Sequence, residues 1–183
     1  MALPERITSF PIVLRAFAMG DAARVAELAG DPEVALTTAA VPYPYPVEAA
    51  KAWIASHRDA REAGVAWTYA ITRTDDDALV GAIEVRASDD PELALGYWIG
   101  RAYWSRGYAT TAVRALIAMT FLGLENDVLG ASHLARNPAS GRVLEKCGMT
   151  LARRERRPHR GGGDEEACVW TITREQWSAL RAA

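Results

Sequence analysis

The chain has 183 residues, of which 50% are hydrophobic and 24% charged, as in an ordinary folded domain and unlike a disordered chain. Its 21 basic and 23 acidic residues leave a net charge of −2, which argues against a nucleic-acid binder, since such a protein normally has a strongly basic face. With only two cysteines and three histidines, we expect neither a disulfide framework nor a metal site. The length predicts a single domain over residues 1–183.

The N-terminus lacks the basic and apolar regions of a signal peptide, and Pro or a charge interrupts every long apolar stretch. We therefore expect a cytoplasmic protein without a membrane partner. Whether two chains pair as a homodimer is left open by the sequence.

The first part of the chain predicts a strand followed by helices. Residues 12–17 are rich in β-branched side chains and predict a strand, and Asp21 is a suitable N-cap for a helix over 21–29. The prolines of 42–46 favour an extended loop that carries Tyr43 and Tyr45. Helical spacing returns over 47–63 and ends at Gly64.

Three strands are predicted next, over 67–72, 79–86 and 93–99, because their apolar residues alternate and turn-rich segments separate them. Their short connections predict an antiparallel meander. The third strand is apolar on both sides, which indicates a central strand.

The second half of the chain begins with an amphipathic helix from about Thr110 and a strand over 128–135, which we expect to lie parallel to strand 93–99. Asn137 and Pro138 then predict the start of a short helix that ends near Cys147. A hairpin of 149–154 and 167–172 follows, and a capping box at Thr173 and Gln176 begins a last helix.

The segment 96–112 is the first candidate for chemistry. It runs from a strand through a loop with the small residues Gly107 and Ala109 into a helix. Small residues let an anion approach the N–H groups at the helix start, and Arg106 lies beside them. The loop has neither the Walker sequence nor Gly-x-Gly-x-x-Gly, and many strand–helix turns need small residues for packing alone.

A second motif supports the first. Asn137-x-x-Ser140 is followed by Val143-Leu144-Glu145-Lys146-Cys147-Gly148-Met149. Together with Tyr97-Trp98-Ile99 and Gly107-Tyr108-Ala109-Thr110, this order resembles the GNAT acyltransferase superfamily, specifically its RimJ/RimL-like branch of ribosomal-protein N-terminal acetyltransferases.

The resemblance implies an α/β (α+β) fold: a mixed, mostly antiparallel sheet of six to seven strands, flanked by helices, with one parallel pair that splays apart for acetyl-CoA. It also implies cofactor contacts. The backbone of Trp98, Ile99 and Gly100 would pair with the pantetheine arm. Asn137 would hydrogen-bond the same arm, and Ser140 would protonate the departing thiolate. The pyrophosphate would be held by Arg106, Gly107, Tyr108, Ala109 and Thr110.

The general base is not assigned by the resemblance alone. Members of the branch commonly carry Glu two residues before the Gly-Tyr dipeptide, where this chain has Ala94. Glu84 on the preceding strand is our choice, since burial would raise the pKa of its carboxyl group. The alternatives are an ordinary ion pair of Glu84 with Arg86 or Arg73, a base role for Glu92, and a chain of water molecules.

On the acceptor side the resemblance implies Tyr43, Tyr45, Trp53 and Tyr97, whose aromatic rings would suit a peptide or an amphipathic amine. The alternative for Tyr43, Tyr45 and Trp53 is packing in the core. The arginine-rich run 153–160 is a solvated hairpin or, alternatively, a lip for acidic acceptors. His133 and Cys147 are interpreted as interior residues.

Two functions from different classes follow. The first is an acetyl-CoA-dependent N-acetyltransferase that acts on a primary amine of a peptide or small molecule by direct attack. The second is a catalytically silent acetyl-CoA-binding sensor or partner module, suggested by Ala94. A generic nucleotide-binding domain would leave the segment from Asn137 to Ser140 unexplained.

Overall fold

The computed structural model describes residues 3–39, 41–89, 91–158 and 162–182. Its centre is an eight-stranded sheet in the order β1-β2-β3-β4-β5-β6-β8-β7, in which only β5 and β6 are parallel. The strands are β1 Arg6–Ser9, β2 Ile12–Arg15, β3 Ala66–Arg73, β4 Leu79–Ala87, β5 Leu93–Ile99, β6 Val128–Leu134, β7 Thr150–Pro158 and β8 Asp164–Thr173. The helices are α1 Ala22–Ala29, α2 Pro32–Thr37, α3 Val47–Glu62, α4 Tyr108–Gly123, α5 Pro138–Lys146 and α6 Arg174–Ala182.

The predicted mixed sheet is confirmed, including the antiparallel β3–β4–β5 meander and the parallel pair. The sheet has eight strands instead of six to seven, because β1 adds an edge strand that pairs with β2. Four residues are too few for a readable alternation of apolar side chains. The six-residue helix α2 was missed for the same reason.

The hairpin of β7 and β8 is longer than predicted. Its charged ends pair across the strands instead of forming a loop, as in the Arg154–Glu166 ion pair at 2.7 Å. Opposite charges on neighbouring strands stabilise such pairing.

Two helix-capping predictions have different outcomes. The Thr173–Gln176 capping box is present, whereas the Asp21 carboxylate accepts from Arg15 and from the Ala18 N–H instead of capping α1.

The two faces of the sheet have separate cores. Alternate residues of β3, β4 and β5, such as Tyr69, Ile83 and Leu95, pack against Leu116 and the rest of α4. We call this the α4 face; α5 and α6 also contribute to its core. The intervening residues of these three strands, such as Ala70, Ala82 and Trp98, pack against α1 and α3 on the opposite side of the sheet. We call this side the α3 face.

Candidate active site

The parallel strands β5 and β6 separate soon after they meet. They pair only at Ala94–Gly130 and Leu95–Ala131, and beyond these positions β5 continues beside β4 alone. The edge of β5 that faces β6 therefore has backbone groups without a strand partner, which an extended ligand could bind. We call this gap the splay.

Only some of the predicted backbone contacts face the splay. The Gly100 N–H donates to the Val80 carbonyl on the β4 side at 2.8 Å, and the Trp98 carbonyl lies close to Gly81 on the same side. Because successive residues of a strand turn their backbone groups to opposite edges, Tyr97 and Ile99 face the splay. Of the predicted trio, Trp98 and Gly100 are thus directed to β4. The Tyr97 backbone is a candidate that sequence reasoning missed, because the edge follows from pairing and not from composition.

The loop after β5 leads to the N-terminus of α4 at one end of the splay. Gly107 has a φ of 81°, a left-handed conformation that suits glycine, and a Cβ there would find nothing within 4 Å. The first helical hydrogen bond is donated by Thr111 to the Gly107 carbonyl, so the N–H groups of Tyr108, Ala109 and Thr110 precede the helical ladder. Open space, free donors and the dipole of a 16-residue helix together fit a pyrophosphate.

Two arginine side chains lie near the ring of Tyr103, in the loop that leads from β5 to α4. The Arg106 guanidinium lies 5.8 Å from the centre of the Tyr103 ring, and that of Arg24 lies 5.9 Å from it. Arg24 also donates to the Tyr103 hydroxyl at 2.7 Å. Arg106 directly precedes Gly107 in the chain, and Arg24 brings a second cation from α1 to the same ring. The Trp104 indole donates to the Ile99 carbonyl at 2.7 Å and so fixes the loop to the end of β5.

The first turn of α5 brings Ser140 to the splay. The Asn137 side chain caps this helix by accepting from the Ser140 N–H at 3.2 Å, and its amide donates to the Thr37 carbonyl at 3.2 Å. The Asn137 amide thus has two protein partners besides the predicted pantetheine contact.

The Ser140 hydroxyl lies 2.7 Å from the hydroxyl of Tyr97. Burial raises the pKa of Tyr97 to about 12, so its hydroxyl keeps its proton at neutral pH. Tyr97 was grouped with the acceptor residues, but its side chain packs on the α4 face, with Ser140. The structure thereby pairs two hydroxyl groups that the sequence assigned to different sides.

Two of the remaining acceptor candidates lie on the α3 face. Tyr45 and Trp53 pack against the core of this face, whereas Tyr43 is 56% exposed. Burial raises the pKa of Tyr45. Tyr45 and Trp53 are therefore brought to one face, apart from Tyr97.

Glu84 also lies on the α3 face and is held by two side chains. Its Oε2 accepts from the Thr68 hydroxyl at 3.0 Å, and its Oε1 accepts from Arg86 Nη1 at 2.7 Å. The ion pair with Arg86 is thus present, while that with Arg73 is not, since Arg73 pairs with Asp75 and Asp76. With 24% of its side chain exposed, Glu84 can still exchange protons with a bound acceptor.

Two other positions bear on the choice of base. Glu92 is exposed just before β5, and Ala94 pairs with Arg86. The Glu92 carboxylate is therefore not buried, and position 94, which holds an alanine, has no carboxylate.

His57 on α3 is a site residue that sequence reasoning missed. Its ring lies 4.4 Å from that of Trp53 and 5.3 Å from that of Phe17, and neither ring nitrogen has a hydrogen-bond partner within the described residues. Burial lowers the pKa of His57 to about 4, although the nearby negative charge of Glu84 acts to raise it. The four-residue spacing from Trp53 was the available signal, because it places both rings on one helix face.

His133, Cys147 and the described part of the arginine-rich run, which the sequence analysis also considered, have structural partners. His133 Nδ1 bonds the Leu134 carbonyl at 2.8 Å, and Cys147 is buried in the core of the α4 face, where burial raises the pKa of its thiol to about 11. In the arginine-rich run, Arg153 and Arg157 pair with Glu155, while His159 and Arg160 lie outside the described residues.

The same described residues were considered for metal ligands and for membrane-spanning helices. No group of three or more His, Cys, Asp or Glu among them could hold a metal ion. None of the helices in these ranges is long and apolar enough to cross a membrane.

Comparison with known proteins agrees with this geometry. The family model of the acetyltransferase (GNAT) domain matches residues 12–150, which is most of the chain, and the protein therefore belongs to the GNAT acetyltransferase family. It is similar to the probable N-acetyltransferase YjcK of Bacillus subtilis (strain 168), with 29% identity over 109 residues. That match covers 57% of this chain and about 60% of the length of the curated relative.

Solved structures share the fold over almost the whole chain. RimJ of Mycobacterium smegmatis, in complex with CoA-disulfide, has a TM-score of 0.84 and 19% identity, covering 100% of this chain and 97% of that one. RimL, a ribosomal L7/L12 alpha-N-protein acetyltransferase in complex with coenzyme A, has a TM-score of 0.79 and 15% identity, with coverages of 94% and 98%. The expected RimJ/RimL-like branch is thus among the structural neighbours.

Proposed function

We propose that this protein is an N-acetyltransferase that transfers the acetyl group of acetyl-CoA to a primary amine, at a protein N-terminus or on a small molecule, by direct attack. One observation carries the proposal: where β5 and β6 separate, the N-terminus of α4 follows the end of β5, and the Tyr97 hydroxyl meets that of Ser140 on α5. A ligand with a pyrophosphate at one end and a thioester at the other matches both. The eight strands form one sheet, which supports a single acyltransferase domain over residues 1–183.

The chain's own groups account for cofactor binding. The N–H groups of Tyr108, Ala109 and Thr110 and the Arg106 side chain would hold the pyrophosphate. Acetyl-CoA supplies the activated acetyl group. The backbone N–H groups of Tyr97 and Ile99 would pair with its pantetheine arm or polarise the thioester carbonyl, which stabilises negative charge on that oxygen during attack.

Proton transfer needs one group on each side of the sheet. The acceptor amine attacks only as the free base, so Glu84 would take its proton as the C–N bond forms. As the C–S bond breaks, Ser140 would give its hydroxyl proton to the sulfur and regain one from the Tyr97 hydroxyl, which solvent then reprotonates. The amine would approach from the α3 face, where Glu84, Trp53 and Tyr45 lie.

The proposal is tested by release of free thiol from acetyl-CoA with a panel of peptides and small amines, together with calorimetry of acetyl-CoA binding. Binding with amine-dependent thiol release is expected. Binding without transfer to any amine would favour the sensor alternative, which the occupation of Glu84 Oε1 by Arg86 supports. Absence of binding would contradict both functions.

Ser140→Ala isolates the leaving-group role. We expect kcat to fall by about 10²-fold, because general acid catalysis contributes about that much or more, with the Kd of acetyl-CoA unchanged. Steady-state kinetics and calorimetry check the two parts separately. Ser178→Ala, at an exposed serine of α6, is the matched control and should leave both values unchanged. An unchanged kcat in Ser140→Ala would remove Ser140 from the mechanism.

A further inference from the structure

Two arginine side chains reach the margins of the splay on the α3 face. The first is Arg86 of β4, whose Nη1 donates to Glu84 Oε1. The same nitrogen lies 3.4 Å from the position that a Cβ would take on Gly96 of β5. Because Gly96 has no side chain, the guanidinium can lie across β5 at the edge of the splay.

The second is Arg157 of β7, which reaches the other margin. Ser132 on β6 is the counterpart of Gly96, since each lies two residues beyond the paired Gly130 and Ala94. Arg157 donates from Nε to Glu155 and from Nη1 to the Ser132 hydroxyl at 3.2 Å, so its guanidinium extends past β8. Across the described part of the chain, its Nη2 has no hydrogen-bond partner.

The exposure of both side chains leaves them accessible. The side chain of Arg86 is 53% exposed and that of Arg157 is 40% exposed. A guanidinium group presents planar donors that fit the two oxygens of a carboxylate. One such group therefore stands on each side of the splay, and that of Arg86 contacts Glu84, the carboxylate proposed to take the amine proton.

We propose that Arg86 and Arg157 together bind a carboxylate that the acceptor carries close to its amine, so that the enzyme selects acidic acceptors. This inference rests on the proposed function, because it assigns the acceptor class of the same site. The amine would lie toward Glu84 and the carboxylate toward the two guanidinium groups, which matches the charges of an acceptor with both groups.

Arg86 would also couple recognition to catalysis. In the structure its guanidinium occupies Glu84 Oε1. A carboxylate on the acceptor competes for the same donors, and when Arg86 turns to it, Oε1 becomes available to receive the amine proton. An acidic acceptor would therefore raise kcat as well as lower KM, whereas a simple docking contact would change KM alone.

The test compares peptides with the same N-terminal residue whose second and third residues are either acidic or the corresponding amides. For the unaltered protein we expect kcat/KM to be about tenfold higher with the acidic peptides, the size of a charge-assisted contact. Arg86→Gln and Arg157→Gln should each bring this ratio toward one. In Arg86→Gln the dependence of kcat on acceptor charge should disappear.

Arg154→Gln is the matched control, because Arg154 lies on the same strand but pairs with Glu166 on the other face. It should keep the full preference. Circular dichroism establishes that each variant is folded. A ratio near one in the unaltered protein, or a ratio that survives both Arg86→Gln and Arg157→Gln, would overturn the inference while transfer itself stands. Absence of transfer to any amine would instead overturn the proposed function.

Discussion

At the scale of single residues, the Glu84 carboxylate has a neutral hydroxyl donor on one oxygen and a cationic donor on the other. Thr68 and Arg86 each hold one of its oxygens, and His57 lies near enough for the Glu84 charge to act on the pKa of the imidazole. Each of these oxygens accepts one hydrogen bond and keeps a second lone pair that can receive a proton, and release of Arg86 would free a further one on Oε1. The residue types in this cluster are readable in the sequence, but their meeting depends on how α3 lies over β3 and β4.

Replacing Glu84 tests its role as base. In Glu84→Gln we expect kcat/KM to fall by about 10²-fold, because the amide keeps the shape of the side chain but cannot take a proton. Steady-state rates between pH 6 and pH 9 give the measurement. Glu92→Gln, at the exposed alternative carboxylate outside β5, should keep its activity if Glu84 is the base. An unchanged pH–rate profile in Glu84→Gln would shift the role to Glu92 or to water.

His57 makes the stability of the protein depend on pH. Its pKa is lowered to about 4 in the folded state from an ordinary value of 6.5, so the unfolded chain binds more protons between these values. Stability is therefore complete above about pH 6.5 and is lost as the pH falls toward 4. From pH 7 to pH 5 this amounts to about 1 kcal/mol, because solvent screening reduces the full effect of the shift.

Urea unfolding at these two pH values measures the effect in the unaltered protein and in His57→Phe. The phenyl ring fits beside Phe17 and Trp53 but does not titrate, so the variant should lose about that part of the pH dependence. Ser56→Ala, at the neighbouring exposed position, should retain it. Equal slopes in His57→Phe and the unaltered protein would contradict the assignment.

At the scale of elements, the loop between β5 and α4 and the first turn of α5 place the chemistry. Both elements begin where β5 and β6 separate, and both helices start with a specific local device. Gly107 provides the left-handed turn before α4, and Asn137 caps α5. The Asn137 cap was predicted from residue type, because asparagine favours such positions through its side-chain hydrogen bond. For Gly107 the sequence predicted only a small residue in the loop, and its left-handed conformation comes from the structure.

Gly107→Ala tests whether the left-handed turn shapes the anion site. The methyl group strains this backbone conformation by about 1–2 kcal/mol, and we expect the Kd of acetyl-CoA to rise by about tenfold if the loop shifts to relieve the strain. Calorimetry and thermal unfolding give the two readouts. Gly162→Ala is the matched control: Gly162 has a φ of 85° with equally open surroundings, but it lies in the β7–β8 loop. It should lose similar stability and keep its affinity; equal affinities in the two variants would contradict the expectation.

At the scale of the whole molecule, the splay divides one sheet into two parts that are joined through only two paired positions. Strands β1 to β5 lie on one side and β6, β8 and β7 on the other. A ligand in the splay would complete the missing pairing of β5. We therefore predict that the ligand slows hydrogen exchange at some backbone amides of β5 and not at others.

Amide hydrogen exchange followed by NMR can detect this change. On addition of acetyl-CoA, the Tyr97 and Ile99 amides should exchange more slowly, because they face the splay. The Trp98 amide faces β4 and should change little. Equal protection of all three amides would contradict the edge assignment, and no change at Tyr97 and Ile99 would indicate that the ligand binds elsewhere.

The sequence by itself determined the type and order of most elements, the GNAT resemblance and the helix start at Asn137, because these depend on local periodicity, capping and motif spacing. Short elements such as β1 and α2 were not predictable, since a few residues carry too little pattern. Only the tertiary structure decided that Tyr97 pairs with Ser140, that Tyr97 and Ile99 face the splay, and that Arg86 and Arg157 reach its two margins. Strand pairing and register set these relations, and they join residues that lie far apart in the chain.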